Sequence, residues 1–270
     1  MFFSLYVVST PIGNLKDISL RALEVLKSVD NILCEDTRVS AKLLQNFDIK
    51  TPLVVYNDHN VIKIIPKIIE LMSLQRKTFA LISDAGTPLV SDPGYKLVNA
   101  CIENSLPYTV VPGASAVISA LVLSGLPSDR FMFAGFADAS KFAELSKINS
   151  TLIFYEAPGR VVKTLEEMSP VFRNRTVAVV KEITKIYETV IRGTFDDVIS
   201  YFKENTPKGE FVILLSPPEI SDTDKIAEFQ PLISELVGKI SKKDLSFALS
   251  KYSGISKNTL YNYLMENYND

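Results

Sequence analysis

The sequence predicts an α/β protein: two α/β domains, a parallel sheet and then a mixed sheet, plus a small C-terminal helical tail. Three observations lead there. Short apolar runs alternate with amphipathic helical stretches through the first half. Strands apolar on both faces belong to a parallel sheet covered by helices on each side. In the second half, YETVIRG and its neighbours alternate more in polarity, which suits antiparallel pairs. A polar, proline-bearing stretch, SPPEISDTD (216–224), then gives way to short helical patterns. The divisions read as 1–115, 116–217 and 218–270.

Each element has its own signal. LYVV (5–8) is a strand. The apolar start MFFSLYVVSTPIGN is short, lacks a basic leader and runs into Pro and Gly, so it reads as a strand and not a signal peptide. ISLRALEVLKSV places Leu20, Leu23, Leu26 and Val29 near helical spacing, with Asp17 as the expected N-cap. NILC (31–34), a helix around SAKLLQNF, and LVVY (53–56) follow. In the helix VIKIIPKIIELMSL, Pro66 predicts a kink or a late start. Then come TFALIS (78–83), a helix at YKLVNACIEN, and YTVV (108–111). PGASAVISALVLSGLP (112–127) reads as a helix opened by Pro-Gly. FMFAGF, a short helix near KFAELSKI, and TLIFYE (151–156) come next. A helix at VVKTLEEM, the runs TVAVVKE and YETVIRG, a helix at DDVISYF, and FVILL (211–215) complete the second half. In the tail, Ser241 and Ser256 are the expected N-caps and Gly254 the expected stop. The last segment suits either a helix-turn-helix or a small helical cap.

Composition excludes several function classes. At 270 residues and 47% hydrophobic, the chain can bury real cores. Lys plus Arg (29) nearly balances Asp plus Glu (31), so a nucleic-acid partner must be held by a local patch. Cys34 and Cys101 lie in apolar runs, which fits a reduced cytoplasmic compartment and not a disulfide framework. No apolar stretch approaches the roughly 20 residues that span a bilayer. One histidine and no Cys/His spacing leave no structural zinc site.

The most informative stretch is LISDAGTPLVSDPG (81–94). In an open parallel sheet, ligands sit beyond the carboxyl ends of the strands, and this loop follows one. Gly86 permits close approach to the backbone. Pro88 and Pro93 stiffen the loop. Asp92 reads as the cap of the next helix, with Pro93 in its first turn. Asp84, at the strand end, is the better candidate for a ligand contact, the bland alternative being a cap of its own loop. VSTPIGNLKD (8–17), CEDTR (34–38) and VPGAS (111–115) share the same strand-then-loop texture. Together the four loops describe one wall of one pocket. No G-x-G-x-x-G follows the first strand and no GxxxxGK[ST] occurs, which argues against a dinucleotide fold or a phosphate-loop NTPase.

STPIGNLKDIS, CEDTR, YNDHN, LISDAGTPLVSDPGY, VPGASA, SGLPSDRF, LIFYE, KEITKIYE and KGEFVIL occur in this order over residues 5 to 215. With these, the chain resembles the small-subunit ribosomal RNA (cytidine-2′-O-)-methyltransferases of the tetrapyrrole methylase family. The resemblance implies S-adenosyl-L-methionine in a cleft between two α/β domains, a homodimer, and methyl transfer to a cytidine ribose in the decoding region of small-subunit ribosomal RNA. Carried over position by position, it assigns Asp84, Gly86, Thr87, Ser115, Ala116 and Tyr155 to the cofactor, with Pro11 closing the pocket and Gly209 lining it. It turns Asn14, Asp17, His59, Arg160, Glu182 and Lys185 toward RNA. Asp36 or Glu35 is expected as base or orienter, with Arg38 on a phosphate or a developing oxyanion and Lys181 its rival. The bland alternatives are a local ion pair with a helix cap for Glu35–Asp36–Arg38, a satisfied structural histidine for His59, and a sheet-edge pair of Lys181 with Glu182.

The pattern also departs from the family. EAPGR (156–160) lacks a histidine expected beside Arg160, GFADASKFAEL (135–145) lacks an expected basic cluster, and Ala114 stands where a proline is common. Two other readings stay open: a methylase acting on a porphyrinoid carbon, and a non-catalytic ribosome-binding relative.

Overall fold

The computed structural model describes residues 3–57, 59–219 and 222–268. Met1 and Phe2 of the N-terminal run, Asp58 of YNDHN, and Ile220 and Ser221 of the 216–224 stretch lie outside the described residues. The chain forms two compact units, one of residues 1–171 and 176–217, the other of 172–175 and 218–270.

The first unit holds both sheets. Strands β1 (Leu5–Val8), β2 (Asn31–Cys34), β3 (Leu53–Val55), β4 (Phe79–Leu81) and β5 (Tyr108–Val111) are all parallel, in the order β3-β2-β4-β1-β5. Their helices are α1 (Leu20–Ser28), α2 (Thr37–Asn46), α3 (Val61–Leu74) and α4 (Tyr95–Glu103). The strand period of two splits the apolar residues cleanly. Leu5, Val7, Leu33, Phe79 and Leu81 pack with Ile68, Met72 and Leu97. Val8, Ile32, Cys34, Ala80 and Ile82 pack with Ala22, Leu26 and Leu44. Both faces are buried, as continuous apolar strands require.

Helix starts differ from expectation where a local side chain reaches an amide better. Ser19, not Asp17, caps α1 by accepting from Ala22 N at 3.1 Å, and Asp17 belongs to a preceding 3-10 turn. Pro66 neither delays nor ends α3, which starts at Val61 and runs through it. Asp92 does not cap α4: Gly94 occupies that position at φ +144°, without a side-chain bond.

The second sheet is mixed. Strands β6 (Phe131–Phe136), β7 (Thr151–Glu156), β8 (Val177–Lys181), β9 (Thr189–Gly193) and β10 (Phe211–Leu215) run in the order β6-β7-β10-β8-β9. Only β6 and β7 are parallel, and their register shifts between Phe133 and Phe136. Helices α5 (Ala116–Ser124), α6 (Phe142–Leu145), α7 (Val161–Met168) and α8 (Phe195–Glu204) accompany it. Helix α5 begins only at Ala116, capped by Ser115, and ends at Gly125 with φ +70°. Val117, Ala120 and Leu121 bury it against Ile153, Ala178, Val180 and Leu214. Lys181 ends β8, an interior strand and not a sheet edge; its charge acts on Glu182, whose ion-pair partner is Lys185.

The second unit carries α9 (Asp222–Glu228), α10 (Gln230–Leu236), α11 (Lys242–Ser253) and α12 (Lys257–Asn267). Ser241 and Ser256 cap α11 and α12, each accepting at 3.1 Å, from Asp244 N and Thr259 N. Gly254 closes α11 at φ +69°. Ile226, Ile233, Leu245, Leu249, Leu260 and Leu264 form its own core. The three-residue turn between α11 and α12 has helix-turn-helix length. Cys34 and Cys101 are free and buried. Among the described residues, no helix is long and apolar enough to cross a membrane.

Candidate active site

Three loops at the carboxyl ends of the parallel strands are bonded to one another. Thr10 N donates to Gly86 O at 2.8 Å, and Gly86 N returns a bond to Thr10 O at 3.1 Å. Gly86 sits at φ +80°, where a Cβ would lie 3.2 Å from Ile12 Cγ2. The Thr87 hydroxyl donates to Ala114 O at 3.0 Å and lies 3.0 Å from Ser9 Oγ. The loops after β1, β4 and β5 thereby become one rigid floor.

Gly13 brings a second-domain loop against the first, and Gly209 makes room within the second domain. A Cβ on Gly13 would lie 2.7 Å from both Lys185 Cγ and Thr184 Oγ1. Gly209, at φ +94°, leaves room that Glu182 fills, its Cδ 2.4 Å from a hypothetical Cβ. Glu182 accepts from Lys185 Nζ at 2.9 Å and from Glu210 N at 3.0 Å. That lysine holds its carboxyl below the usual range.

These contacts enclose a cavity of about 430 Å³. Ile12, Asp84, Gly86, Thr87 and Asp92 line it from the first domain, Ser115 and Ala116 from the start of α5, and Tyr155, Ile183, Gly209 and Val212 from the second sheet. Seven of the eight positions expected at a cofactor thus meet in one place. The exception is Pro11, which is buried beside the cavity while Ile12 supplies the wall. Sequence reasoning missed Ile12, Asp92, Glu156, Ile183 and Glu210, which also line it.

The lining is acidic, and its carboxyls differ sharply. Asp92 is half-buried, and burial, then the charges of Glu35 and Asp84, push it up to about 6 against a Ser83 hydrogen bond. Asp84 is also raised, by desolvation first and by the Asp36 charge, against a bond from the Asp36 backbone N–H. Asp36 itself caps α2, accepting from Arg38 N at 2.8 Å, and pairs with Arg38 Nη2 at 2.6 Å. Those bonds pull its carboxyl down to about 2. Buried Glu156 accepts from Ala157 N at 2.7 Å and from the Thr164 hydroxyl, with Arg160 Nε at 3.5 Å.

The remaining expected residues do not line the cavity. Asn14 caps a 3-10 turn by accepting from Lys16 N, and Asp17 is exposed in that turn. His59 is exposed, its backbone N donating to Asn57 Oδ1. Arg160 also donates to Ala137 O at 3.1 Å and borders a second, more open groove of about 890 Å³ with Lys141, Lys163 and Phe136. Phe136 faces both spaces. Among the described residues, no group of His, Cys, Asp and Glu could hold a metal ion.

Comparison with known proteins gives consistent results. A family model described as Tetrapyrrole (Corrin/Porphyrin) Methylases matches residues 4–199. A Rickettsia prowazekii (strain Madrid E) protein named ribosomal RNA small subunit methyltransferase I is 44% identical over 95% of this chain and 94% of its own. A protein of the same name from Hydrogenobaculum sp. (strain Y04AAS1) is 49% identical over 78% and 95%. Among solved structures, a diphthine synthase superposes with TM-score 0.62 at 15% identity, covering 78% of this chain and 89% of that one. A Thermus thermophilus uroporphyrin-III C-methyltransferase complexed with S-adenosyl homocysteine has TM-score 0.54 at 20% identity, covering 78% and 96%. These likenesses to solved structures share the fold.

Proposed function

The chain belongs to the tetrapyrrole methylase family, and from that premise we propose that it is an S-adenosyl-L-methionine-dependent methyltransferase of small-subunit ribosomal RNA, acting on a cytidine ribose 2′-oxygen in the decoding region. The observation that carries this reading is the convergence of the TPIGN, DAGTPLVSDPG, PGASA, LIFYE and KGEFV segments on one cavity. Those segments are among the ones that carry the resemblance to the ribosomal RNA enzymes.

The cavity fits the cofactor. Its volume lies in the range of small-molecule sites. Ile12, Val90, Ala116, Tyr155, Ile183 and Val212 offer apolar walls for a purine. The first turn of α5 offers backbone N–H groups to a carboxylate. Asp84 and Asp92 offer negative charge to a cation. S-adenosylmethionine, when bound, supplies an electrophilic methyl group on a sulfonium.

The chain's own residues position the rest. The floor made by Thr10, Gly86 and Thr87 costs little reorganisation on binding, because its bonds are already formed. Asp36, fixed by Arg38, orients the CEDTR loop and is too weak a base to take a proton. Arg38, with 87% of its side chain exposed, remains suited to an RNA phosphate. Phe136 offers the RNA strand an aromatic ring, and Lys141, Arg160 and Lys163 offer cations that a phosphate would share with their partners Asp138, Glu156 and Glu167. Asn14, Asp17, His59, Glu182 and Lys185 stay assigned to the RNA side.

We also propose a cytoplasmic homodimer. Ile118 (48% exposed) and Val122 (76% exposed), one turn apart on α5, leave an apolar stripe for a second copy.

The test is methyl transfer to small subunits from cells lacking this protein, with the product mapped by nucleotide. The expected result is one 2′-O-methylcytidine, absent with Asp84→Ala, which also loses cofactor binding. Transfer to uroporphyrinogen but not to subunits would overturn the reading.

A further inference from the structure

Resting on that reading, we propose that the exposed pair Ile186–Tyr187 is a base-docking tip for the small-subunit RNA: Tyr187 stacks on an unpaired nucleobase beside the target cytidine, with Ile186 flanking it. The pair stands on the turn between β8 and β9, Ile186 94% and Tyr187 74% exposed. Ile183, in the same turn, is buried and lines the cavity. Tyr187 lies four residues further on, hence within about 14 Å of that wall. The target cytidine must reach the cavity, so a neighbour in the strand comes within reach of the tip.

The turn is tightly bonded. Glu182 N donates to Glu210 O at 3.0 Å, Lys185 N to Glu182 O at 3.0 Å, and Glu188 N to Lys185 O at 3.1 Å. Thr184 N donates to Glu188 Oε2 at 2.7 Å. Glu182 at φ +53° and Thr184 at φ +65° are left-handed without being glycine, and Thr184 is β-branched. The Thr184 hydroxyl is buried, with no hydrogen-bond partner among the described residues. Both features cost stability, and strain of this kind gathers at functional sites. What the strain achieves shows in the order of side chains. Ile183 enters the cavity cluster, Thr184 and Lys185 press on Gly13, and Ile186 and Tyr187 are left facing solvent. A pair held outward by a rigid turn loses little freedom on binding.

The tip suits a base better than a phosphate. Lys185 is shared by Glu182 at 2.9 Å and Glu210 at 3.1 Å, Lys181 acts on Glu182, and Glu188 adds a third carboxylate. Three carboxylates against two cations disfavour another anion, whereas an uncharged ring face meets a phenol and an alkyl chain. Stacking of this kind tolerates any base and requires that the base be unpaired. A second copy of the chain is the rival occupant, and α5 already offers it the stripe of Ile118 and Val122.

The test is methyl transfer to unmethylated small subunits. Tyr187→Leu should lower kcat/KM for subunits about 5- to 100-fold, mostly through KM, since a stack present before and during transfer is uniform binding. Tyr187→Phe keeps the ring and should stay within about threefold of wild type. Both should keep the Kd for S-adenosylmethionine within about threefold, because Tyr187 does not line the cavity. A second readout needs no turnover. The chain has no tryptophan, so Tyr187→Trp adds a single indole. Subunits should quench its fluorescence as the ring stacks on a base, while Leu74→Trp, exposed at the C-terminal end of α3, should stay unquenched. Tyr187→Leu within about twofold of wild type would overturn the proposal. So would an equal loss in Tyr187→Phe, an unquenched Tyr187→Trp, or equal quenching of Leu74→Trp. A dimer that Tyr187→Leu and Ile186→Ser turn into a monomer would overturn it too, because the tip would then cover a second copy. If wild type methylates no subunit RNA, the functional reading fails instead. The tip is then judged by the fluorescence alone: quenching by subunits upholds it and its absence removes it.

Discussion

Gly209 has no space for a side chain, and its conformation allows none without strain. Its φ of +94° is left-handed, and the position a Cβ would take is held by the Glu182 carboxyl. Gly209→Ala should cost about 1–3 kcal/mol, read as a lowered urea midpoint. A shift equivalent to less than about 0.5 kcal/mol would mean that Glu182 swings away freely. Asp92 works in the opposite direction. Its carboxyl is raised to about 6 from 3.8, so the folded state binds the proton more tightly than the unfolded state. Stability is then relatively greater at low pH and is lost as pH rises from about 4 through about 6. Two pH units convert to about 3 kcal/mol, and discounting for a half-exposed group leaves about 1 kcal/mol. Asp92→Asn should therefore be more stable than wild type at pH 8 and equal to it below pH 4, as measured by denaturation at each pH. Asp-Pro-Gly before a helix also shows why the sequence misled here: the same three residues make a cap or a turn that evades one. Only the burial of the carboxyl in the cavity wall separates the two, and the local pattern does not reveal that.

The elements themselves were largely legible, because they depend on local periodicity. LYVV, YTVV, TLIFYE and FVILL are the strands β1, β5, β7 and β10 residue for residue, and α3 and α7 match their quoted runs. The helix starts were less legible, since Asp17 and Ser19 are both good caps and geometry alone chooses Ser19. What periodicity cannot show is the bonding between loops far apart in the chain. Thr87 and Ser9 are 78 positions apart, and Thr87 and Ala114 are 27 apart. The TP of DAGTP reads as a turn, yet its threonine hydroxyl ties the loops after β1, β4 and β5 together. Thr87→Val keeps the shape and removes both bonds. It should cost about 1–3 kcal/mol and weaken S-adenosylmethionine binding measured by calorimetry. Thr87→Ser, which keeps the hydroxyl, should bind within about threefold of wild type. Equal affinity for Val and Ser would show that the loops hold together without that hydroxyl.

Both sheets contribute to one cavity, so the compact unit that contains them should respond to a ligand as a whole. Ile12 and Ile183 sit in one apolar cluster with Val117 and Val212, which joins the first loop, the start of α5 and strand β10. Gly13 against Lys185 and Gly209 against Glu182 add close backbone contacts on the same side. A ligand seated there stabilises every segment it touches, by about 2.7 kcal/mol at a hundredfold excess over Kd. Amide exchange should therefore slow together in residues 84–92, 155–158 and 209–212 when S-adenosylhomocysteine is added. The strand interiors of β1 and β10, already protected by their ladders, should change little. Slowing in 84–92 alone would mean that the second sheet closes the cavity without gripping its contents. In that case Tyr155 and Gly209 would be walls and not contacts. Slowing in all three that is lost in Gly209→Ala would mark Gly209 as the residue that shapes the cleft.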